Sequence, residues 1–354
     1  MLQDYKAFHD ANKHSPYAQY IVQTCWHRHC EGAGDRIRGT LFLLRMAIEY
    51  RKILIIDWTR PAPLPYFLTP NQIDWTMTGF PDGFFTENNT ITLEEFNATT
   101  KHGPGTDEAI AKFMGTQKYV TQGVRPFEAH ATRLPRIDPK RAIEIGACYF
   151  NFLFKLNSTI VERGEAHLRQ LYGPSPVDYV AWHWRHMDVD SKKEEPLIVS
   201  ELGTAMSCAE QLAGGIGVDL NQRPVLLVTD FNAFRHMVAR GDVRKLTTPN
   251  ITAKHIERGW ADSVGPFQDV FVDLYILSRS RCLITSWSGF SKLALWMGSR
   301  QLLHCHRDRL HCDKATVQNV ARRMQLRRRR ERRALMATAE GAAAWSRKES
   351  VRNS

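Results

Sequence analysis

The sequence predicts an α/β protein built from two Rossmann-like domains that face each other across a cleft. Two series of apolar strands, each followed by a helix, predict parallel sheets, and a Pro-rich link at Gly173-Pro-Ser-Pro176 separates them. The length of 354 residues suits two domains of ordinary size. We therefore expect an N-terminal domain at 1–172, a C-terminal domain at 173–320 and a tail at 321–354.

The first series begins with a short β-like run at Tyr20–Thr24. A glycine-rich loop at Glu31–Gly39 follows, and Thr40–Tyr50 has the period and composition of a helix. Lys52–Asp57 is a buried strand that ends in a carboxylate, which completes a β–loop–α–β unit. The rest of this half is expected to hold an irregular connection at Trp58–Asn97, a helix within Thr100–Gly123 and a helical segment at Pro139–Gln170.

The second series repeats this alternation. Its strands are expected at Asp178–His183, Pro224–Asp230 and Cys282–Ser286, and its helices at Ser200–Ala213, Phe231–Ala239, Ala261–Leu277 and Ser288–Met297. Ligands of such folds bind in the crevice beyond the C-terminal ends of the strands. Polar residues cluster at those ends, so the sequence predicts a ligand site there.

The positive charge of the chain is concentrated in its last 34 residues. The formal net charge is +11, and the segment from Ala321 to Ser354 holds eleven Arg or Lys against three Glu, which leaves about +3 for the rest. This tail is predicted to be helical or disordered. It offers a site for an anionic partner such as RNA or a lipid surface, and the alternative is a solvated extension. No RNA-recognition motif accompanies it.

The cysteines and glycosylation sequons favour an oxidising compartment. Seven cysteines leave at least one unpaired within the chain. Cys25–Cys30 and His304–Cys312 each hold potential zinc ligands, but their spacings match no standard zinc module, so local disulfides Cys25–Cys30 and Cys305–Cys312 are the expectation. Sequons occur at Asn88, Asn97, Asn157 and Asn250.

The chain is not expected to carry its own membrane anchor. No run approaches 18 apolar residues, so we expect no transmembrane segment in this chain. Met1–Tyr20 mixes Asp, Lys and His, which differs from a signal peptide. A protein of the Golgi or another secretory lumen would therefore depend on an anchor outside this sequence.

Two constellations at strand ends suit an anionic ligand. Gly32-Ala-Gly-Asp-Arg36 lies between a strand and a helix, where backbone N–H groups approach phosphates; a simple tight turn is the alternative. His183 and Arg185 share one face of a strand that continues to Asp188. The guanidinium of arginine can donate two parallel hydrogen bonds to a diphosphate, so Arg185 is a candidate diphosphate ligand. The alternative is that Arg185 forms a buried structural pair with an Asp.

A third constellation is a Ser/Thr-rich strand-to-helix turn at Leu283–Ser291, preceded by Asp273-Leu-Tyr-Ile-Leu277. Its hydroxyls and N–H groups are suitable donors for phosphate oxygens. The alternative is that Ser288 is simply the N-cap of the following helix.

In this order the segments resemble the GDP-fucose fucosyltransferase superfamily, which joins α1,6-, α1,2- and protein O-fucosyltransferases. The matching motifs are Gly32-x-Gly-Asp-Arg36 with Ile55-Ile-Asp-Trp58, His183-x-Arg-x-x-Asp188, Val228-Thr-Asp230, and Asp273-x-x-x-Leu-Ser278 with Leu283-x-x-Ser-Trp-Ser288. The resemblance implies a GT-B-like fold and an inverting, metal-independent transfer of fucose from GDP-fucose to a glycan or protein hydroxyl, with no cofactor.

The resemblance also implies residue roles. Arg185 would neutralise the charge of the leaving GDP. His183 and Asp188 would orient Arg185 and its loop. Asp230 and Asp273 would bind or order the guanosine side. The phosphates would be contacted by Ser286, Trp287 and Ser288, with the first loop (Gly32, Gly34 and Arg36) nearby.

Two positions depart from the family pattern. His186 replaces the second of two adjacent arginines of the α1,6 branch, and Asp35 stands where Asn is general. An acid beside a diphosphate is repulsive unless it pairs with Arg36 or Arg38. These departures motivate the alternative of a catalytically inactive nucleotide-sugar- or glycan-binding relative.

The general base is expected among acids that follow the second motif. The candidates are Asp190, Glu194 and Glu195, and solvated loop acids are the alternative for at least two of them.

Overall fold

A computed structural model describes residues 1–25, 32–86, 91–92, 119–122, 139–174, 177–186, 195–253, 264–286, 288–298, 300, 302 and 305–308. The helices are α1 (Leu2–Asn12), α2 (Ala33–Glu49), α3 (Pro139–Leu153), α4 (Ser158–Tyr172), α5 (Glu195–Ile216), α6 (Asn232–Ala239), α7 (Gly265–Arg279) and α8 (Gly289–Met297). The strands are β1 (Tyr20–Cys25), β2 (Ile53–Trp58), β3 (Leu68–Pro70), β4 (Ile91–Thr92), β5 (Tyr119–Gln122), β6 (Phe154–Leu156), β7 (Val180–Trp184), β8 (Val225–Thr229), β9 (Leu246–Thr247), β10 (Cys282–Thr285) and β11 (His306–Asp308).

Two parallel sheets organise the chain, as the alternation of strands and helices predicts. The first has the order β2-β1-β5-β4 and the second the order β11-β10-β7-β8-β9. The central strands are fully buried apolar runs such as Val225–Thr229, which is typical of sheets covered on both faces. Strands β3 and β6 form a separate antiparallel pair. The protein is thus an α/β protein with parallel sheets.

One hydrophobic core joins the two halves of the chain. It contains Leu54 of the first sheet and Leu283 of the second, together with apolar residues of α2, α4, α7 and α8. Helix α8 packs against α2 and α3, and α7 packs against α4. This packing fixes the starts of α2 and α8 relative to each other, and both starts line the same cleft.

Two predicted elements need correction. Helix α2 begins at Ala33 rather than Thr40, because Gly32 is already its N-cap and the glycine-rich segment forms its first turns. The predicted helical segment Pro139–Gln170 is two helices separated by β6, because the Asn157 side chain caps a new helix by accepting a hydrogen bond from Thr159 N. Residues 119–122 form β5 near the end of the segment 100–123, and the preceding part of that segment, where a helix is predicted, lies outside the described residues.

The predicted disulfide between Cys305 and Cys312 is wrong, because Cys305 pairs with Cys282. Strands β10 and β11 are parallel neighbours with Leu283 opposite His306, so the residues that precede them lie side by side, with 4.7 Å between their Cα atoms. Cys25 and Cys208 each take part in a further disulfide bond. Cys148 is an exposed free thiol. The Cys25–Cys30 prediction involves a residue outside the described part of the chain.

The described residues also bear on the membrane and glycosylation predictions. Within them, no helix is both long and apolar enough to cross a bilayer. Asn250 is exposed, whereas the Asn157 side chain caps α4 and donates to Pro65 O at 3.0 Å. Asn88, Asn97 and the tail at 321–354 lie outside the described residues, and the proposed domain boundaries stay a prediction.

Candidate active site

A cleft of about 120 Å³ opens where elements of both sheets meet. Its walls are the starts of α2 and α8, the ends of β7 and β8, one face of α7 and the segment Thr252–Ala253. The C-terminal ends of parallel strands face it, which is where ligands bind in open α/β sheets. The cleft is therefore the candidate active site.

Two helix N-termini converge in this cleft. Gly32 is the N-cap of α2 and Ser288 is the N-cap of α8, and both residues line the cleft. A Cβ atom on Gly34 would overlap the backbone of Gly289 and Phe290, so only glycine permits this approach. The first N–H groups of a helix lack intrahelical partners and carry partial positive charge. Their convergence therefore favours a bound anion.

Arg185 follows β7 and points into the cleft, where its side chain is about one quarter exposed. Its Nη1 donates to Asp230 Oδ2 at 2.7 Å, while Asp230 Oδ1 accepts from His186 N at 2.6 Å. Asp230 thus fixes both the guanidinium and the backbone after it. Among the described residues that line the cleft, Arg185 is the one cation, and this contact leaves its Nε and Nη2 donors for a ligand.

The serines of the third motif serve the fold as well as the site. Ser286 Oγ donates to His183 O at 2.7 Å and accepts from Arg185 N at 3.0 Å, so it ties the end of β7 to the end of β10. Ser286 is buried and does not line the cleft. Ser288 Oγ accepts from Phe290 N at 3.1 Å, which is the N-cap role that the sequence left open.

His183 is a neutral, fixed side chain. Its Nδ1 lies 2.6 Å from Ser291 Oγ, and its ring packs 5.0 Å from the ring of Phe290, between centroids. Burial disfavours the imidazolium and lowers the pKa of His183 to about 3. His183 therefore shapes the cleft and holds α8 in place rather than supplying positive charge to an anion.

Two carboxylates of α7 line the side of the cleft beside Val270. Asp273 is buried and accepts two hydrogen bonds from Arg235, at 2.8 and 2.6 Å. Asp269 pairs with Arg163 of α4, while burial raises the pKa of the Asp269 carboxyl. Asp273 therefore orders α6 against α7 in addition to facing the cleft.

Asp35 and Arg36, the charged residues of the first motif, lie in different environments. Asp35 lines the cleft and pairs with Arg38 at 3.1 Å, one helical turn further on. Arg36 is buried, stacks its guanidinium 4.5 Å from the centroid of the Trp58 ring and donates to Arg60 O. The Arg36 side chain thus joins α2 to the end of β2 and does not line the cleft.

The structure brings most of the predicted site residues together. Those that line the cleft are Gly32, Gly34, His183, Arg185, Asp230, Asp273 and Ser288. Arg36 and Ser286 support it from behind, and Asp188, Asp190, Glu194 and Trp287 lie outside the described residues.

Sequence reasoning missed four participants, namely Asp269, Arg163, Arg235 and Ser291. Asp269 precedes Asp273 by four residues, so helical spacing places both on one face of α7. That spacing was the available signal. Arg235 and Asp273 are 38 positions apart in the sequence, so no local sequence pattern predicts their pairing.

Comparison with solved structures identifies the fold. A mutant of FUT1 from Arabidopsis thaliana, in complex with GDP, matches with a TM-score of 0.55 at 13% identity, covering 84% of this chain and 76% of that chain. Fucosyltransferase NodZ from Bradyrhizobium matches with a TM-score of 0.45 at 17% identity, covering 78% and 92%. No family model and no curated protein matches. The match to the Arabidopsis structure shows that the chain has a fucosyltransferase-like fold, as its motifs predict.

Proposed function

We propose that this chain is an inverting glycosyltransferase that transfers fucose from GDP-fucose to a hydroxyl group of a glycan or protein. The observation that supports this most is the cleft itself, which is lined by Arg185 and by the N-termini of α2 and α8. A nucleoside diphosphate is the anion that suits such a site, because two phosphates can use both the guanidinium and the helix ends. The Arabidopsis fold relative was solved with GDP, which agrees with this proposal.

Arg185 supplies the main electrostatic contribution to catalysis. As the bond from fucose C1 to the β-phosphate oxygen breaks, negative charge develops on GDP. A guanidinium already held by Asp230 stabilises that charge without reorganising at the moment of reaction. The partial charges at the starts of α2 and α8 add to this stabilisation. We propose that these groups neutralise the leaving diphosphate without a divalent metal, so chelation by EDTA should leave the rate unchanged.

The reaction proceeds by direct displacement. An acceptor hydroxyl attacks C1 from the face opposite the phosphate, so the anomeric configuration inverts. Removal of the hydroxyl proton by a carboxylate accelerates this step. Asp190 and Glu194, which follow the second motif, are the base candidates from the sequence.

The lumen of the Golgi or of another secretory compartment is the proposed location. The buried Cys282–Cys305 disulfide supports it, because such bonds persist in oxidising compartments. The exposed sequon at Asn250 fits a glycoprotein of the same compartments.

A second candidate function is a catalytically inactive relative that binds a nucleotide sugar. Asp35 favours it, because this acid lies in the cleft beside the proposed diphosphate, although its pairing with Arg38 offsets part of the repulsion. The two candidates differ in turnover and agree in nucleotide binding.

An acceptor array separates these candidates. Purified protein is incubated with GDP-fucose and a panel of glycans and glycoproteins, and fucosylated product is detected by mass spectrometry, with GDP affinity measured in parallel by calorimetry. The proposal predicts product whose new linkage has inverted configuration by NMR. GDP binding without product on any acceptor would favour the inactive relative, and absence of both would overturn both candidates.

A further inference from the structure

The carboxylates of the cleft differ in how accessible they are to a substrate. The exposed fraction of the side chain is 36% for Asp35, 22% for Asp269, 16% for Asp230 and 7% for Asp273. A general base must reach the proton that it removes, within hydrogen-bond distance. Asp35 is therefore the acid of the described cleft best placed to meet a bound acceptor.

The other three carboxylates each pair with an arginine from a different part of the fold, whereas Asp35 pairs with Arg38 of its own helix. Asp230 holds Arg185 Nη1 and His186 N, and Asp273 holds Arg235 through both oxygens. Asp269 is bound to Arg163 of α4 on the α7 wall. Protonating any of these acids would weaken a charge-assisted pair that maintains the cleft.

Asp35 lies where the two helix N-termini meet. It is the third residue of α2, and a Cβ atom built on Gly289 would lie 3.3 Å from Asp35 Oδ1. The carboxylate thus lies against the start of α8, beside the proposed diphosphate site. Arg38 holds it from the α2 side at 3.1 Å in a partly exposed pair, which leaves room for an incoming hydroxyl group.

We propose that Asp35 is the catalytic base of the transfer, an inference that rests on the proposed function. An Asp35 carboxylate oxygen accepts the proton of the acceptor hydroxyl as that oxygen forms its bond to fucose C1. The bond from C1 to the β-phosphate oxygen breaks at the same time, and its electron pair leaves with GDP beside Arg185. Asp35 then returns the proton to solvent.

The Asp35→Asn variant tests this role, since it keeps the size of the side chain and removes its basicity. The expected result is a fall in kcat of about 10²- to 10⁴-fold, the range typical for a general base. GDP affinity should stay the same or rise slightly, because a negative charge beside the diphosphate is removed. The rise of wild-type kcat with pH along its acidic limb should be absent from the variant.

Azide provides a second measurement, because it attacks C1 without losing a proton. Formation of fucosyl azide from GDP-fucose should proceed at similar rates in wild type and Asp35→Asn, whereas transfer to a hydroxyl is lost in the variant. Asp242→Asn is the matched control: its carboxylate is exposed and paired with Arg240, and it does not line the cleft. That control should keep wild-type values in both assays.

The outcomes separate the two proposals. Wild-type kcat and pH profile in Asp35→Asn, in an active enzyme, would overturn the role of Asp35 and leave the proposed function intact. Equal loss of azide and hydroxyl transfer, or loss of GDP binding, would also overturn it by showing a structural role. A wild-type protein that transfers fucose to neither acceptor would instead contradict the proposed function itself.

Discussion

Gly34 and Gly289 lie in backbone contact, each in the first turn of a helix from a different half of the chain. A Cβ atom on Gly289 would be only 3.3 Å from the carbonyl carbon of Gly34. This contact sets the distance between the N-termini of α2 and α8, and hence the shape of the anion site. The cleft is a composite of both halves rather than a property of one domain.

Replacing Gly34 with alanine should separate these helices. The added methyl group meets backbone atoms, which cannot move aside as a flexible side chain can, and overpacking of this kind costs about 1–3 kcal/mol. GDP affinity, measured by calorimetry, should fall together with the free energy of unfolding. Gly203→Ala is the control, because Gly203 is an exposed residue of α5 with nothing within 4 Å of the added Cβ. It should gain about 0.5–1 kcal/mol of stability. An unchanged GDP affinity in Gly34→Ala would refute the composite site.

The buried pair of Arg235 and Asp273 should be costly to break. Arg235→Met leaves the Asp273 charge in the core without its partner, which we expect to lower the free energy of unfolding by about 3–5 kcal/mol. Chemical denaturation measures the change. Adding Asp273→Leu should recover most of the loss, since it removes the stranded charge. The matched control, Arg240→Met, breaks an exposed pair with Asp242 and should cost no more than about 1 kcal/mol. Similar losses at both arginines would contradict the role of burial.

His183 should make stability dependent on pH. The folded-state pKa of about 3 lies below the ordinary histidine value of 6.5, so the unfolded chain binds the proton first as pH falls. The contribution of neutral His183 to the free energy of unfolding is thus fully present above pH 6.5. It decreases progressively as pH falls from 6.5 to about 3. A His183→Gln variant should lose stability less steeply across this window, measured by urea titrations at several pH values. Parallel pH profiles for the two proteins would show that His183 does not titrate as described.

The Cys282–Cys305 disulfide should add to stability. It closes a loop with a sequence separation of 23 residues, for which chain entropy predicts about 3 kcal/mol. The Cys282→Ala/Cys305→Ala double variant should unfold at correspondingly lower denaturant concentration. Peptide mapping without reduction gives a direct check, since a peptide linking Cys305 to Cys312 would contradict the pairing.

The sequence predicted the sheets well because fully buried strands such as Val225–Thr229 are short apolar runs that end at polar residues. It placed the start of α2 too late, because glycines favour turns locally while the packing of Gly34 against Gly289 stabilises the helix. It also favoured the nearest cysteine for Cys305, whereas the register of β10 and β11 selects Cys282. Tertiary contacts decided both positions.

The site was predictable to the extent that motifs mark strand ends. Arg185 and Asp230 follow neighbouring parallel strands, so the topology itself brings them together. The support from Arg235 and Arg163 arises from contacts between distant helices, which no local pattern encodes. Arg36, predicted at the ligand, faces Trp58 because the helix begins earlier than expected and turns this side chain inward.

The rate of fucose transfer by Arg185→Ala tests the central claim most directly. Wild type should release GDP in step with fucosylated product, and Arg185→Ala should lose at least about 10²-fold in kcat, as is typical when a preorganised donor to a developing charge is removed. Arg244→Ala, which removes an exposed arginine that does not line the cleft, should match wild type. A transfer rate in Arg185→Ala equal to that of wild type, or no transfer by the wild-type protein, would contradict the account.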